Sequence, residues 1–162
     1  VNNLVEIIDI FTTGYAYCAL NKDNSIVATW GHNSYGASIT QSTSGLFDMG
    51  DLTNIKNVYA TENQFIVENF SNTVYTWGGR GQHIYNDISL IAHNNHAWAF
   101  IKTDGTVIAG GNETYGGLIP TDKQPQLTNV VQIYATDFTF TALKNDNSIV
   151  WWGVGGSYPG TH

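Results

Sequence analysis

The chain has 162 residues, 42% hydrophobic and 13% aromatic, which is enough apolar side chain to bury a core and excludes a disordered polymer. Charge is sparse: 13 acidic against 6 basic residues give a formal charge of −7, a surface that repels phosphate backbones and anionic membranes and argues against nucleic-acid binding. Cys18 is the sole cysteine, so neither an intrachain disulfide nor a cysteine-built zinc site can form, and no apolar run reaches the roughly 18 residues of a membrane span.

Gly, Thr and Asn are abundant beside Tyr, Val and Ile, Pro and Met are scarce, and no window sustains helical apolar spacing; the composition predicts an all-β chain. Read in order, it is four versions of one module of about 40 residues. The first, 4–45, contains the turn Asp23-Asn24, then Trp30-Gly31 and the stretch Asn33-Ser34-Tyr35-Gly36. The second, 52–85, carries Val58-Tyr59-Ala60, the turn Ser71-Asn72 and Trp77-Gly78. The third, 86–120, carries Asp104-Gly105, Gly110-Gly111 and Glu113-Thr114-Tyr115-Gly116. The fourth, 127–162, reads as strands Val130–Ala135, Phe138–Leu143 and Ser148–Gly153, with the turn Asn145-Asp146-Asn147 before the last.

The modules align closely. Residues 6–27 match 129–150 without a gap at an offset of 123, 58–78 match 133–153 at 75, and 102–107 match 144–149 at 42. Each module therefore reads as three antiparallel strands, with a short fourth expected in the Gly/Tyr stretch after Trp-Gly, an economy that fits a propeller blade. The Asn/Gly turns are expected to be primed hairpin turns, because those residues accept positive φ.

Two columns of large rings run through the modules: Tyr17, Phe65, Trp98 and Phe140 in the second strand, and Trp30, Trp77 and Trp152 in the third, where Gly110 is the exception. These rings are expected to form a core by packing against the neighbouring module's equivalents, with a thinner third module at Gly110.

The segments Ala142–Gly153 and Ala19–Gly31, each an Ala-Leu followed by a polar turn, Ile-Val and Trp-Gly, resemble the repeats of the regulator of chromosome condensation family. Tyr134-Ala135-Thr136 and Ser34-Tyr35-Gly36 resemble its bacterial branch, often found in secreted or surface proteins. The resemblance spans nearly the whole chain and implies a β-propeller, commonly seven-bladed, that binds other proteins. Only four repeats are present and the basic surface of the eukaryotic namesake is missing, so nucleotide exchange on a GTPase is not implied and no catalytic residue carries over.

Candidate chemistry is thin. His93-Asn94-Asn95-His96 breaks the columns held elsewhere by Thr12, Ala60 and Ala135 and by Tyr15, Asn63 and Phe138, which makes His93 and His96 binding candidates against a polar-rim reading. Asp23, Asp104 and Asp146 supply one carboxylate per turn, fewer than a calcium loop needs, and read as turn formers. Glutamates fall at unrelated module positions and nominate no acid/base pair. Tyr35, Tyr85, Tyr115 and Tyr158 are loop aromatics that can stack on a ligand.

The expected function is a non-enzymatic module binding a protein partner through the inter-module stretches 32–57, 79–87, 112–128 and 154–162; the alternative is a carbohydrate-binding adhesin or lectin domain. No cofactor, metal, nucleic acid or membrane insertion is implied. An Asn/Thr-rich surface with few lysines points to a secreted or bacterial cell-surface protein, and Val1 in place of Met to a processed chain or a fragment. Four blades of such a ring leave two open end faces, marked by Trp151-Trp152 and by Ile8, Ile10 and Tyr17, which a homodimer or a longer parent chain is expected to cover ahead of self-closure.

Overall fold

The computed structural model describes residues 6–39 and 46–153. It divides into two compact units, Val1–Asp87 and Ile88–His162, each holding two small antiparallel sheets that resemble propeller blades. In the first unit, blade 1 is β1 (Ile7–Thr12), β2 (Ala16–Asn21) and β3 (Ile26–Gly31), and blade 2 is β4 (Ile55–Ala60), β5 (Gln64–Asn69), β6 (Val74–Gly78) and β7 (His83–Tyr85). In the second, blade 3 is β8 (Ile88–His93), β9 (Ala97–Lys102) and β10 (Val107–Gly111), and blade 4 is β11 (Val130–Ala135), β12 (Thr139–Lys144) and β13 (Ile149–Gly153). The fourfold all-β repeat stands.

The repeat is also written in the backbone. A non-glycine residue in the left-handed region opens every blade: Glu6 (φ 61°), Asn54 (55°), Asp87 (61°) and Asn129 (55°). Just after it the first strand of each blade carries a bulge, at Ile7/Asp9, Ile55/Asn57, Ile88/Leu90 and Val130/Gln132. Bulges bend a strand and sharpen its twist, so all four blades are bent at the same register.

The glycine ending each third strand is required by a close approach. At Gly31, Gly78 and Gly153 an added Cβ would lie 2.4, 2.2 and 2.3 Å from the carbonyl oxygens of Tyr15, Asn63 and Phe138, and φ is 113–125°.

Several expectations change in detail. The hairpin turns are not primed: Asn24, Asn72, Gly105 and Asn147 alone have positive φ in their turns, and each donates its N–H to the carbonyl three residues back (Asn21, Asn69, Lys102 and Lys144). That is the three-residue hairpin loop with a left-handed last residue. In blades 1 and 2 Asn21 and Asn69 cap this turn, accepting from the N–H groups of Ser25 and Thr73; in blades 3 and 4 Asp104 and Asp146 accept from Thr106 and Ser148 instead. The Gly/Tyr stretches form no fourth strand but 3-10 turns, Asn33–Tyr35 and Glu113–Tyr115, capped by His32 Nδ1 and Asn112 Oδ1. Among the described residues a fourth strand occurs in blade 2, and Tyr85 lies on it, paired with Val74, not in a loop.

The ring columns pair within blades, across neighbouring strands, rather than with their equivalents next door. Tyr17–Trp30, Phe65–Trp77 and Phe140–Trp152 have ring centroids 5.3, 5.1 and 5.5 Å apart. Phe65, Trp77, Phe140, Trp152 and Trp98 are buried, whereas Tyr17 and Trp30 are exposed. Blade 3 is not thinned at Gly110, because the larger Trp98 reaches across and places its indole where a Cβ at Gly110 would sit, 2.2 Å from Cζ2.

Candidate functional site

Each unit contains one blade-to-blade junction, and both are built from the same repeat positions. In the first, the Trp77 indole Nε1 donates to the Gly36 carbonyl at 2.9 Å; in the second, Trp152 donates to Gly116 at 2.9 Å. Both acceptor glycines end a 3-10 turn with positive φ, and a Cβ would press on the next blade's ring, 2.8 Å from Phe65 at Gly36 and 2.7 Å from Phe140 at Gly116. A backbone latch accompanies each junction: Ile55 N–H donates to Asn24, and Val130 N–H to Gly105. The Tyr-Gly loop is thus the piece one blade inserts over the Phe–Trp pair of the next.

A small polar residue heads the turn between the first two strands of every blade. Thr13, Thr61 and Thr136 accept through Oγ1 from the N–H groups of Ala16, Gln64 and Thr139, and Asn94 accepts through Oδ1 from Ala97. Asn94 is buried, and its longer side chain also donates to the carbonyls of Tyr115 and Thr136, both at 3.0 Å. The third module therefore departs from the repeat with a structural consequence, an amide that staples blade 3 to blade 4.

The sequence-nominated residues distribute as follows. Tyr115 is half-buried and contacts two rings, His96 at 4.0 Å between centroids and Phe138, stacked, at 5.2 Å. His96 and Tyr115 are brought together, and His93 is an exposed residue at the end of β8, opposite Trp98. In the first unit Tyr35 is half-buried, with Tyr15 edge-on at 4.7 Å and His32 at 5.3 Å, and its carbonyl accepts from Thr13 Oγ1 at 2.8 Å. Tyr85 stacks on His83 at 6.0 Å, and burial raises its phenol pKa against a hydrogen bond with Thr76 that lowers it. Tyr158 lies outside the described residues.

Sequence reasoning passed over Tyr15 and Phe138 as candidates. Both are exposed rings at the tip of the first hairpin of their blades, and each covers the Tyr of a Tyr-Gly loop. Their signal was the column they share with His96. Each unit so presents a small aromatic cluster at one repeat position, Tyr15/Tyr35/His32 and His96/Tyr115/Phe138. No group of three or more His, Cys, Asp or Glu able to hold a metal occurs among the described residues, and no helix there is long and apolar enough to cross a membrane.

Blades with this topology define the class of fold: the chain is structurally similar to RCC1-like β-propellers. Saccharomyces cerevisiae Prp20p, a protein described with binding properties to Gsp1p and histones, superposes with a TM-score of 0.58 at 17% identity over 95% of this chain and 46% of its own. The Physcomitrella patens receptor kinase CR4 ectodomain gives 0.56 at 15% identity (91% of this chain, 41% of that one), and human WBSCR16 gives 0.54 at 14% (91% and 47%). The chain spans less than half the length of these propellers. No protein-family model and no curated protein matches the sequence.

Proposed function

We propose that the chain is a non-enzymatic recognition module of the bacterial branch of RCC1-like repeat proteins, secreted or displayed at a cell surface, which binds a protein partner through ring clusters and inter-blade loops. The observation that carries this reading is the His96–Tyr115–Phe138 cluster: an exposed ring, Phe138, stacked on Tyr115, which in turn contacts His96. Pre-ordered aromatic side chains bind at low entropic cost and are enriched where protein partners anchor. Tyr115 is half-buried and already contacts two rings, which disfavours it as an open, flat platform for a sugar. Prp20p, with the same fold, is described as binding proteins, Gsp1p and histones.

The test is affinity capture with the wild-type chain, identification and purification of the captured protein, and titration against wild type and Phe138→Ala, with a glycan array in parallel. Saturable binding to the purified protein that weakens about tenfold or more in Phe138→Ala supports the reading. Binding to a defined glycan, with no purified protein bound, replaces it with the lectin alternative.

A further inference from the structure

The two Tyr-Gly loops are bonded alike, group for group, except at one atom. His32 N–H donates to the Tyr15 carbonyl and Asn112 N–H to the His96 carbonyl, both at 2.8 Å. The carbonyls of the same two residues accept from Tyr35 and Ala37 in the first unit and from Tyr115 and Gly117 in the second. The difference is the side chain that caps the turn. In the second unit the Asn112 amide oxygen accepts from Thr114 N–H at 3.0 Å, and in the first the His32 imidazole Nδ1 accepts from Ser34 N–H at 3.3 Å. An amide oxygen accepts at any pH. An imidazole nitrogen accepts only while it is unprotonated, and imidazole is the side chain that takes up its proton between about pH 8 and 5.

We infer that His32 is a protonation switch on the blade junction of the first unit: the neutral ring holds the Tyr-Gly loop in the form that offers Gly36 to Trp77, and the protonated ring releases it. In the imidazolium both nitrogens are donors, so Nδ1–H meets Ser34 N–H donor to donor and the ring must turn away. That removes the cap from a turn of only three residues, Asn33–Tyr35, and withdraws the ring packed 5.3 Å from Tyr35. The loosening reaches the Tyr35 carbonyl, which accepts from Thr13 Oγ1, and the Gly36 carbonyl, which accepts from the Trp77 indole. The titratable and charged side chains on the segments packed against the loop are Tyr15, Glu62, Tyr75 and Arg80, with Tyr35 in the loop itself. A Cβ at Gly14, beside Tyr15, would lie 3.5 Å from Glu62 Cγ and 3.7 Å from Tyr35 Cε1, and one at Gly79, beside Arg80, 3.1 Å from the Ser34 carbonyl oxygen. Among phenol, carboxylate, guanidinium and imidazole, imidazole is the type that changes charge between pH 7.5 and 5.5. The sign follows: the contribution of the cap is whole at pH 7.5 and is lost as pH falls. In the second unit Asn112 holds the turn at both. This inference is independent of which partner the ring clusters bind.

Hydrogen exchange of the Trp77 indole N–H tests it, followed by NMR at pH 7.5 and 5.5 and referred to the exchange of free indole at each pH. The Trp152 indole N–H is the control within the same chain, and circular dichroism confirms that each variant folds. In the wild-type chain the protection of Trp77 is expected to fall about two- to tenfold at pH 5.5, the worth of one net hydrogen bond. His32→Asn, which installs the cap of the second unit, is expected to keep Trp77 fully protected at both pH values. His32→Ala, which has no acceptor, is expected to show the reduced protection at both. Trp152 is expected to be equally protected in all three proteins at a given pH, so that a change confined to Trp77 reports the junction of the first unit. Wild-type protection of Trp77 that is equal at the two pH values, a fall that persists in His32→Asn, or a His32→Ala chain as protected at pH 7.5 as the wild type overturns the inference.

Discussion

Trp77 and Gly36, 41 residues apart, are joined by one hydrogen bond from indole Nε1 to carbonyl oxygen at 2.9 Å. The bond is buried, and Trp152 and Gly116 repeat it in the second unit. Within each unit the two blades are therefore joined by a polar latch set in an apolar ring pair, which gives the stacking a fixed register as well as burial.

Removing the latch while keeping the ring isolates its value. Trp77→Phe is expected to destabilise by about 1–3 kcal/mol, because the Gly36 carbonyl is left buried without its donor. Gly36→Ala is expected to cost at least ~2 kcal/mol, since a residue at φ +102° is strained and its Cβ meets Phe65 at 2.8 Å. Denaturant midpoints at constant m-value measure both.

One column separates core from surface. Phe65→Ala and Phe140→Ala are each expected to cost about 3–5 kcal/mol through the cavity left by a fully buried ring. Tyr17→Ala, at the same repeat position but exposed, is expected to cost under about 1 kcal/mol. Equal losses at Tyr17 and Phe65 in thermal melts would contradict the assignment of Tyr17 as exposed.

Trp98 and Gly110 are a compensated exchange. Gly110→Trp alone is expected to destabilise by about 1–3 kcal/mol or more by overpacking against the Trp98 indole. Combining it with Trp98→Phe rebuilds the Phe–Trp pair of blades 2 and 4, and the double variant is expected to be more stable than Gly110→Trp alone. A double-mutant cycle reads the coupling directly.

His93→Ala with His96→Ala is expected to leave the far-ultraviolet spectrum unchanged, since neither ring is fully buried and Asn94, which carries the staple between blades 3 and 4, is retained. Loss of the His96 ring removes one of the two ring neighbours of Tyr115 at the cluster, so affinity for the captured partner should fall while the fold holds. Undiminished affinity in the double variant removes the histidines from the recognition surface.

Burial pushes the Cys18 thiol up to about 12, opposed by a backbone hydrogen bond from Phe11 and aided by Asp9. The thiol is expected to resist alkylation at pH 8 in the folded chain and react on unfolding. The sign for stability follows. Below the ordinary value near 9.0 both states hold the proton and the contribution is complete; as pH rises toward 12 the unfolded chain loses the proton first and stability declines. The slope approaches about 1.4 kcal/mol per pH unit for one group. Half-buried Tyr59, Tyr75 and Tyr85, whose phenols are also raised, act in the same direction, so Cys18→Ala should flatten the alkaline decline without abolishing it.

The repeat was legible in the residues because backbone geometry recurs with it. Gly31, Gly78, Gly111 and Gly153 fall where a strand end passes close to another backbone, and Asn24, Asn72, Gly105 and Asn147 fall where a hairpin needs a left-handed residue. Such demands are local, so they select residue types visible without coordinates. The burial of a ring is not local. Tyr17 and Phe65 occupy one column and cannot be told apart by type, yet one is exposed and the other buried, because Phe65 lies against Gly36 in the Tyr-Gly loop of blade 1. The Tyr-Gly stretch likewise reads as a strand or a binding loop, and only the carbonyl it offers to the next blade's tryptophan identifies it as a wedge. Asn94 was passed over beside two histidines, since its value lies in reaching two carbonyls 21 and 42 residues away, which tertiary packing alone brings within 3.0 Å.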